Sequence, residues 1–176
     1  MSRPTHNTVT QNAWIVNDIE KAARQWSATM GIGPFFLGHY TSDLFEGMRY
    51  RGADGALHMK TAIAFSGDLQ IELIQPMGDE PSAYRDVYPV GGEGFHHMCF
   101  WSDDLDADLA YYEQAGCETV NVGRMRGGPR FAYVDTRKQM GCMIELLEPH
   151  EHVIALFAGW KQRADDWDGK DPIVFL

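Results

Sequence analysis

Residues 97–112, HMCFWSDDLDADLAYY, decide the fold once they are laid over residues 11–26, QNAWIVNDIEKAARQW. His97 then falls on Gln11, Asp104 on Asp18, Leu105 on Ile19, Asp106 on Glu20 and Tyr112 on Trp26. Each copy opens as a short apolar strand and reaches an aspartate suited to begin a helix. Its carboxylate can accept from the first free backbone N–H groups, and the acid that follows suits the positive end of the helix. An amphipathic helix follows in each copy and stops close to Gly31 or Gly116.

A second matched pair completes the repeat. IELIQP at 71–76 and IELLEP at 144–149 both end on proline, and Glu72 corresponds to Glu145. Both read as buried strands that stop where the backbone donor is lost. Between start and end, the first copy offers LFEGMRYRG (44–52) and LHMKTAIAFSG (57–67) around the turn-like ADGA. The second offers ETVNVGRMRG (118–127) and PRFAYVDT (129–136). The expected organisation is two tandem βαβββ modules, 8–76 and 95–149, joined by a Gly- and Pro-containing linker at 77–94. The tail, 150–176, offers one helix over 152–167 and the turn-forming DGKDP, an appendage suited to a lid or an interface.

Two copies of one module can pack so that equivalent positions converge on a pseudo-twofold axis. Those positions hold Gln11 and Glu72 from the first copy, His97 and Glu145 from the second. One amide oxygen, one imidazole and two carboxylates suit a hard or borderline divalent ion with two positions left open, and two carboxylates neutralise a dication. The repeat also splits the pair His96–His97. His97 matches Gln11, and alternation along a strand then turns His96 away from the metal.

The chain of 176 residues carries a formal charge of −10, which argues against nucleic acid or an anionic membrane as its partner. Its 44% hydrophobic content is that of a globular chain, without a signal-peptide core or a run of membrane-spanning length. Cys99, Cys117 and Cys142 form no CxxC pattern or disulfide framework, so a reduced cytoplasmic protein is expected.

QNAWIVNDIEKA with MGIGPF after it, IELIQP, HHMCFWSDDLDADL and FAYVDTRKQMGCMIELLEP resemble the vicinal oxygen chelate superfamily. That group includes glyoxalase I, methylmalonyl-CoA epimerase, extradiol dioxygenases and bleomycin-resistance proteins, and the likeness covers residues 8–150. It implies an α+β fold in which the paired modules form a curved mixed sheet around a metal cleft. The order Gln, Glu, His, Glu is similar to that of zinc-dependent glyoxalase I enzymes. The segments VDTRKQMGCMIELLE and GIGPF look more like the epimerase-like branch, which puts glutathione in doubt.

The activity so implied is a divalent-metal-dependent isomerase, epimerase or lyase that moves a proton next to the carbonyl of a small oxo compound or thioester. Zn, Ni, Co or Mn are the implied metals, with Fe ranked below them. Glu145 is the candidate base. Glu72, or more weakly Glu46, is the second acid an epimerase needs. Arg124, Arg126 and Arg130 flank a hairpin that could meet an oxyanion, and Trp14, Phe35, Phe36, Trp101 and Tyr133 could line a pocket. The expected partner is a small-molecule substrate, and a homodimer is compatible with the superfamily. Two alternatives stay open. One is a ring-cleaving or oxygenating iron dioxygenase, for which Gln11 stands where a histidine is needed and His6 lies five residues too early. The other is a metal-free binder of the bleomycin-resistance type.

Overall fold

The structure is a computed structural model that describes residues 4, 5 and 8–176, so His6 lies outside the described residues. The first half runs through strand β1 (Val9–Ile15), helix α1 (Ile19–Met30), then β2 (Phe35–Tyr40), β3 (Phe45–Tyr50), β4 (Ala53–Asp54), β5 (Met59–Ser66) and β6 (Leu69–Pro76). Helix α2 (Ala83–Val87) lies within the connecting segment. The second half follows as β7 (Gly94–Trp101), α3 (Leu105–Gln114), β8 (Glu118–Met125), β9 (Arg130–Asp135), α4 (Arg137–Met140) and β10 (Met143–Leu147). The tail forms α5 (Glu151–Asp165) and β11 (Ile173–Phe175). No helix among the described residues is long and apolar enough to cross a membrane.

The matched aspartates start the matched helices. Asp18 accepts from Lys21 N–H and Asp104 from Ala107 N–H, both at 3.0 Å, each satisfying a first-turn donor that has no partner in its own helix. Gly31 closes α1 at φ 68°, where a Cβ would be strained, and its N–H donates to Ser27 O. Each helix packs its apolar stripe on its own half of the sheet: Ile19 and Ala23 of α1 join Phe35 and Leu73, while Leu105 and Tyr112 of α3 join Val134 and Leu146.

All strands form one curved, open mixed sheet in the order β11-β2-β5-β6-β1-β7-β10-β9-β8-β3-β4. The halves meet at an antiparallel seam between β1 and β7, and each of these strands pairs in parallel with the last strand of its own half, β6 or β10. The fold is therefore α+β with two βαβββ halves.

The strand assignment within the first half differs from the sequence expectation. FFLGHY, not LFEGMRYRG, follows α1 and pairs with β5. LFEGMRYRG crosses to the second half, where β3 pairs antiparallel with β8. The turn-like ADGA made a local hairpin attractive, but long-range burial outweighs it. Phe45 and Met48 sink into a core with Phe131 and Tyr133, and Arg51 pairs with Glu118 and Asp86.

The tail completes the opposite edge. β11 adds in parallel to β2, with Phe35 N–H donating to Pro172 O and Leu176 N–H to Leu37 O. This gives GIGPF a structural role. A Cβ on Gly33 would stand 2.8 Å from Cη2 of Trp167, so the tail's indole lies where a side chain would otherwise be.

Candidate metal site at the seam

Gln11 and His97 stand on the two seam strands, Glu72 and Glu145 on the strands beside them. The ligand atoms of Glu72, His97 and Glu145 all lie within 4.8 Å of one another. Gln11 lines the same chamber as the two glutamates, and its amide N–H donates to Gln70 Oε1 at 2.9 Å, which fixes the rotation of the carboxamide. The four residues matched by the repeat are thus gathered in one place.

The seam is bulged twice, and the bulges are symmetric. Consecutive pairs Ala13↔His97 and Trp14↔Phe95 leave His96 as the extra residue on β7, and Val9↔Phe100 followed by Gln11↔Cys99 leaves Thr10 as the extra residue on β1. Thr10 and His96 occupy matched positions, each immediately before its ligand-type residue. A bulge re-aims the side chains around it and breaks the alternation of faces. The bulge sets His96 beside His97, but its ring meets the Nδ1 side of His97 and stays outside the Glu72–His97–Glu145 cluster, as the repeat implies. Its ring is fully buried, its Nδ1 lies 2.8 Å from His97 Nδ1, and it packs against Tyr84 and Tyr133.

That contact sets the tautomers. His96 Nε2 lies 3.0 Å from Ala83 O, which can only accept, so Nε2 carries the proton. Burial, then the neighbouring His97, holds the His96 pKa down to about 3, so the ring is neutral and its Nδ1 is an acceptor. His97 Nδ1–H then donates to it. In the neutral imidazole that a metal requires, the His97 Nε2 lone pair faces the two carboxylates.

His97 Nε2 is 3.0 Å from Glu145 Oε2 and 3.8 Å from Glu72 Oε2. It is nevertheless a buried atom without a hydrogen-bond partner, since Glu72 lies beyond hydrogen-bond reach and the closer Glu145 makes no hydrogen bond to it. Burial, then the charge of Glu145, pushes the Glu72 carboxyl well above the usual carboxylate range. A buried nitrogen without a hydrogen-bond partner and two crowded carboxylates are each costly in a dry cleft, and a dication would relieve both at once. The residues therefore fit a divalent ion, with nitrogen and oxygen donors of the kind zinc and its neighbours accept.

Further groups face the site, of which the sequence singles out Tyr133 but not Tyr84. Tyr84, delivered by α2, and Tyr133 bring their hydroxyls to 3.1 Å of each other. Burial, then Glu145, raises both phenols well above their usual range, so they remain protonated hydrogen-bond donors. SAYR, a helix-start signal inside the connecting segment, was the available clue to Tyr84. Cys99 is buried beside Glu145, and burial followed by the two glutamates keeps its thiol protonated.

Of the aromatic candidates, Tyr133 lines the chamber. Trp14 packs on Trp26 and Phe95, Phe35 is core, Phe36 stacks behind Trp160, and Trp101 rests on Phe157. Glu46 is exposed and pairs with Arg124 on β8, away from the chamber lining. Arg124 donates to Gly128 O, Arg126 to Asp43 O, and Arg130 binds Glu148 and Asp106.

A curved sheet of two like halves around a Glu–His–Glu cluster defines a paired-βαβββ protein with a candidate metal centre. The chain belongs to the Glyoxalase/Bleomycin resistance protein/Dioxygenase superfamily, which it matches over residues 10–133. No curated protein sequence matches it. Among solved structures it is similar to methylmalonyl-CoA epimerase from Mycobacterium tuberculosis, with TM-score 0.61 and 18% identity over 88% of this chain and 96% of the other. A hypothetical protein from Bacillus halodurans gives TM-score 0.56 and 18% identity, over 82% and 95% of the two chains. A variant methylmalonyl-CoA epimerase from Streptomyces coelicolor, in complex with 2-nitronate-propionyl-CoA, gives 0.57 and 19%, over 82% and 98%.

Proposed function

We propose that this chain is a divalent-metal-dependent isomerase or epimerase that moves a proton on the carbon next to a carbonyl. Gln11, Glu72, His97 and Glu145 would hold the ion, and Zn, Ni, Co or Mn suits this donor set. The observation that carries the reading is the buried His97 Nε2, without a hydrogen-bond partner and aimed between two carboxylates. Bound there, a dication supplies Lewis-acid polarisation of the carbonyl and so acidifies the neighbouring C–H.

The chain's own groups do the rest. Glu145 takes the proton from carbon, and either Glu145 returns it or Glu72 delivers one from its side of the seam. The phenols of Tyr84 and Tyr133 donate hydrogen bonds to oxygen as charge develops on it. The epimerases named above share this fold and agree with the reaction class.

Elemental analysis of the purified protein tests the metal, and exchange of a substrate α-proton with D₂O tests the chemistry. Stoichiometric metal is expected, lost in Gln11→Ala, His97→Ala and Glu145→Ala. Exchange is expected to require metal and to disappear in Glu145→Gln. Retention of metal by His97→Ala would break the ligand assignment. Oxygen consumption with a catechol or a 2-oxo acid on iron would move the chain to the dioxygenase reading.

A further inference from the structure

The chamber over the metal site has a roof made by the tail. Val153, Leu156, Phe157 and Trp160 follow the spacing that puts side chains on one helix face, and all four line the chamber. The roof is held at several points. Trp160 stacks on Phe36 with centroids 5.0 Å apart, Phe157 packs on Trp101, and β11 fastens the end of the tail to β2. The space beside the site has a volume of about 120 Å³ and is partly open to solvent past the half-exposed Leu156. An apolar cavity of about 150 Å³ accommodates benzene, so this chamber suits a compact molecule of roughly six to eight heavy atoms.

Its lining has a definite chemical sign. Beside the two glutamates, the polar groups are the amide of Gln11, the hydroxyl of Thr61 and three phenols, Tyr40, Tyr84 and Tyr133. The remaining walls are aliphatic, aromatic or thioether, and among the described residues no lysine or arginine lines the chamber. The nearby hairpin arginines are engaged elsewhere, as described above. A dication balanced by two carboxylates leaves no net positive charge for a second anion. A carboxylate or phosphate carried into this chamber would lose its hydration without gaining a counter-ion.

We propose that the roofed, cation-free chamber selects an uncharged, compact and largely apolar carbonyl compound, such as a cyclic or branched hydroxyketone, and excludes acids that carry a second anionic group into it, whether free or as a carboxylated thioester. The inference rests on the proposed function for the chemistry at the carbonyl, whereas the size and charge rule stands on the walls alone. The roof residues thereby become specificity determinants. Leu156 is the one to vary, since it touches the chamber while remaining 47% exposed, so a charged side chain there can reach water.

The test uses the full chain, metal-loaded and metal-free, with three probes. These are 2-hydroxycyclohexanone, the size-matched anion 3-methyl-2-oxobutanoate, and methylmalonyl-CoA. Binding is read by calorimetric titration and α-proton exchange by NMR in D₂O. The hydroxyketone is expected to bind at least about tenfold more tightly than either anion, a preference set by the uncompensated charge of the competitors. Leu156→Arg is expected to narrow that gap by favouring the 2-oxo acid. Tighter binding of the 2-oxo acid or the thioester, or no binding of the hydroxyketone, overturns the proposal. Metal-dependent exchange of the thioester would do so while leaving the proposed function intact. Selective binding of the hydroxyketone without any exchange would instead remove the proposed function and keep the selectivity rule.

Discussion

Replacing Glu72 with glutamine removes one of two carboxylates that the fold crowds together. The ligand atoms of Glu72 and Glu145 lie within 4.8 Å, and at an effective dielectric of about 20 two full charges at that distance repel by about 3–4 kcal/mol. Glu72 is only 8% exposed, and burial acts in the same direction, so its folded-state pKa is raised. Between the unfolded value, about 4.3, and that raised value, the metal-free folded chain binds more protons than the unfolded chain. Its stability therefore falls as pH rises through the window, by about 1.4 kcal/mol for each pH unit. Glutamine keeps the shape and lacks the titration. In excess chelator at pH 8, Glu72→Gln is expected to be more stable than the wild type by about 2–3 kcal/mol, since shared protons relieve part of the full repulsion. For a chain of this size that corresponds to ~4–12 °C in Tm, shrinking toward zero as pH falls to about 4. With saturating Zn²⁺ or Mn²⁺ the order should invert, because the wild type gains binding energy that the variant lacks. Calorimetry at several pH values, with chelator or metal, reads all of this. Parallel pH profiles for the two proteins, or a less stable variant at pH 8 in chelator, would refute the reasoning.

Other consequences are as specific. His96→Ala removes the acceptor that orients His97 and should weaken metal binding about 10–100-fold in a chelator competition; unchanged affinity would end the tautomer argument. Gly33→Ala places a Cβ 2.8 Å from Trp167, and the overpacking should cost about 1–3 kcal/mol, visible as a lower Tm with altered indole fluorescence; an unchanged melt would show that the tail does not dock there. Asp18→Ala and Asp104→Ala each remove one helix cap and should each cost about 1 kcal/mol by chemical denaturation, adding in the double variant because the caps share no partners; clear non-additivity would count against two independent caps.

Local signals carried far in this chain. A capping aspartate and a following acid marked the start of both helices, and α1 closes on Gly31 while α3 is capped by Ala115, one residue before Gly116. The internal match named Gln11, Glu72, His97 and Glu145, because pseudo-twofold packing brings equivalent positions of two like halves to one centre. Those features were legible because each depends on residues a few positions apart, or on a comparison of the chain with itself.

Other features depend on which strand edge is open and what can be buried against it. LFEGMRYRG looked like a local hairpin arm, yet Phe45 and Met48 find their core in the other half. Tyr84 reached the site because Asn121 Oδ1 accepts from Ala83 N–H and anchors the short helix α2. The roof is a contact between the last helix and a cleft formed by strands from both halves. The histidine pair divides the two kinds of information. The repeat in the sequence chose His97, whereas the orientation of His96 was decided by a one-residue bulge at the seam, a property of how two strands register and not of either strand alone.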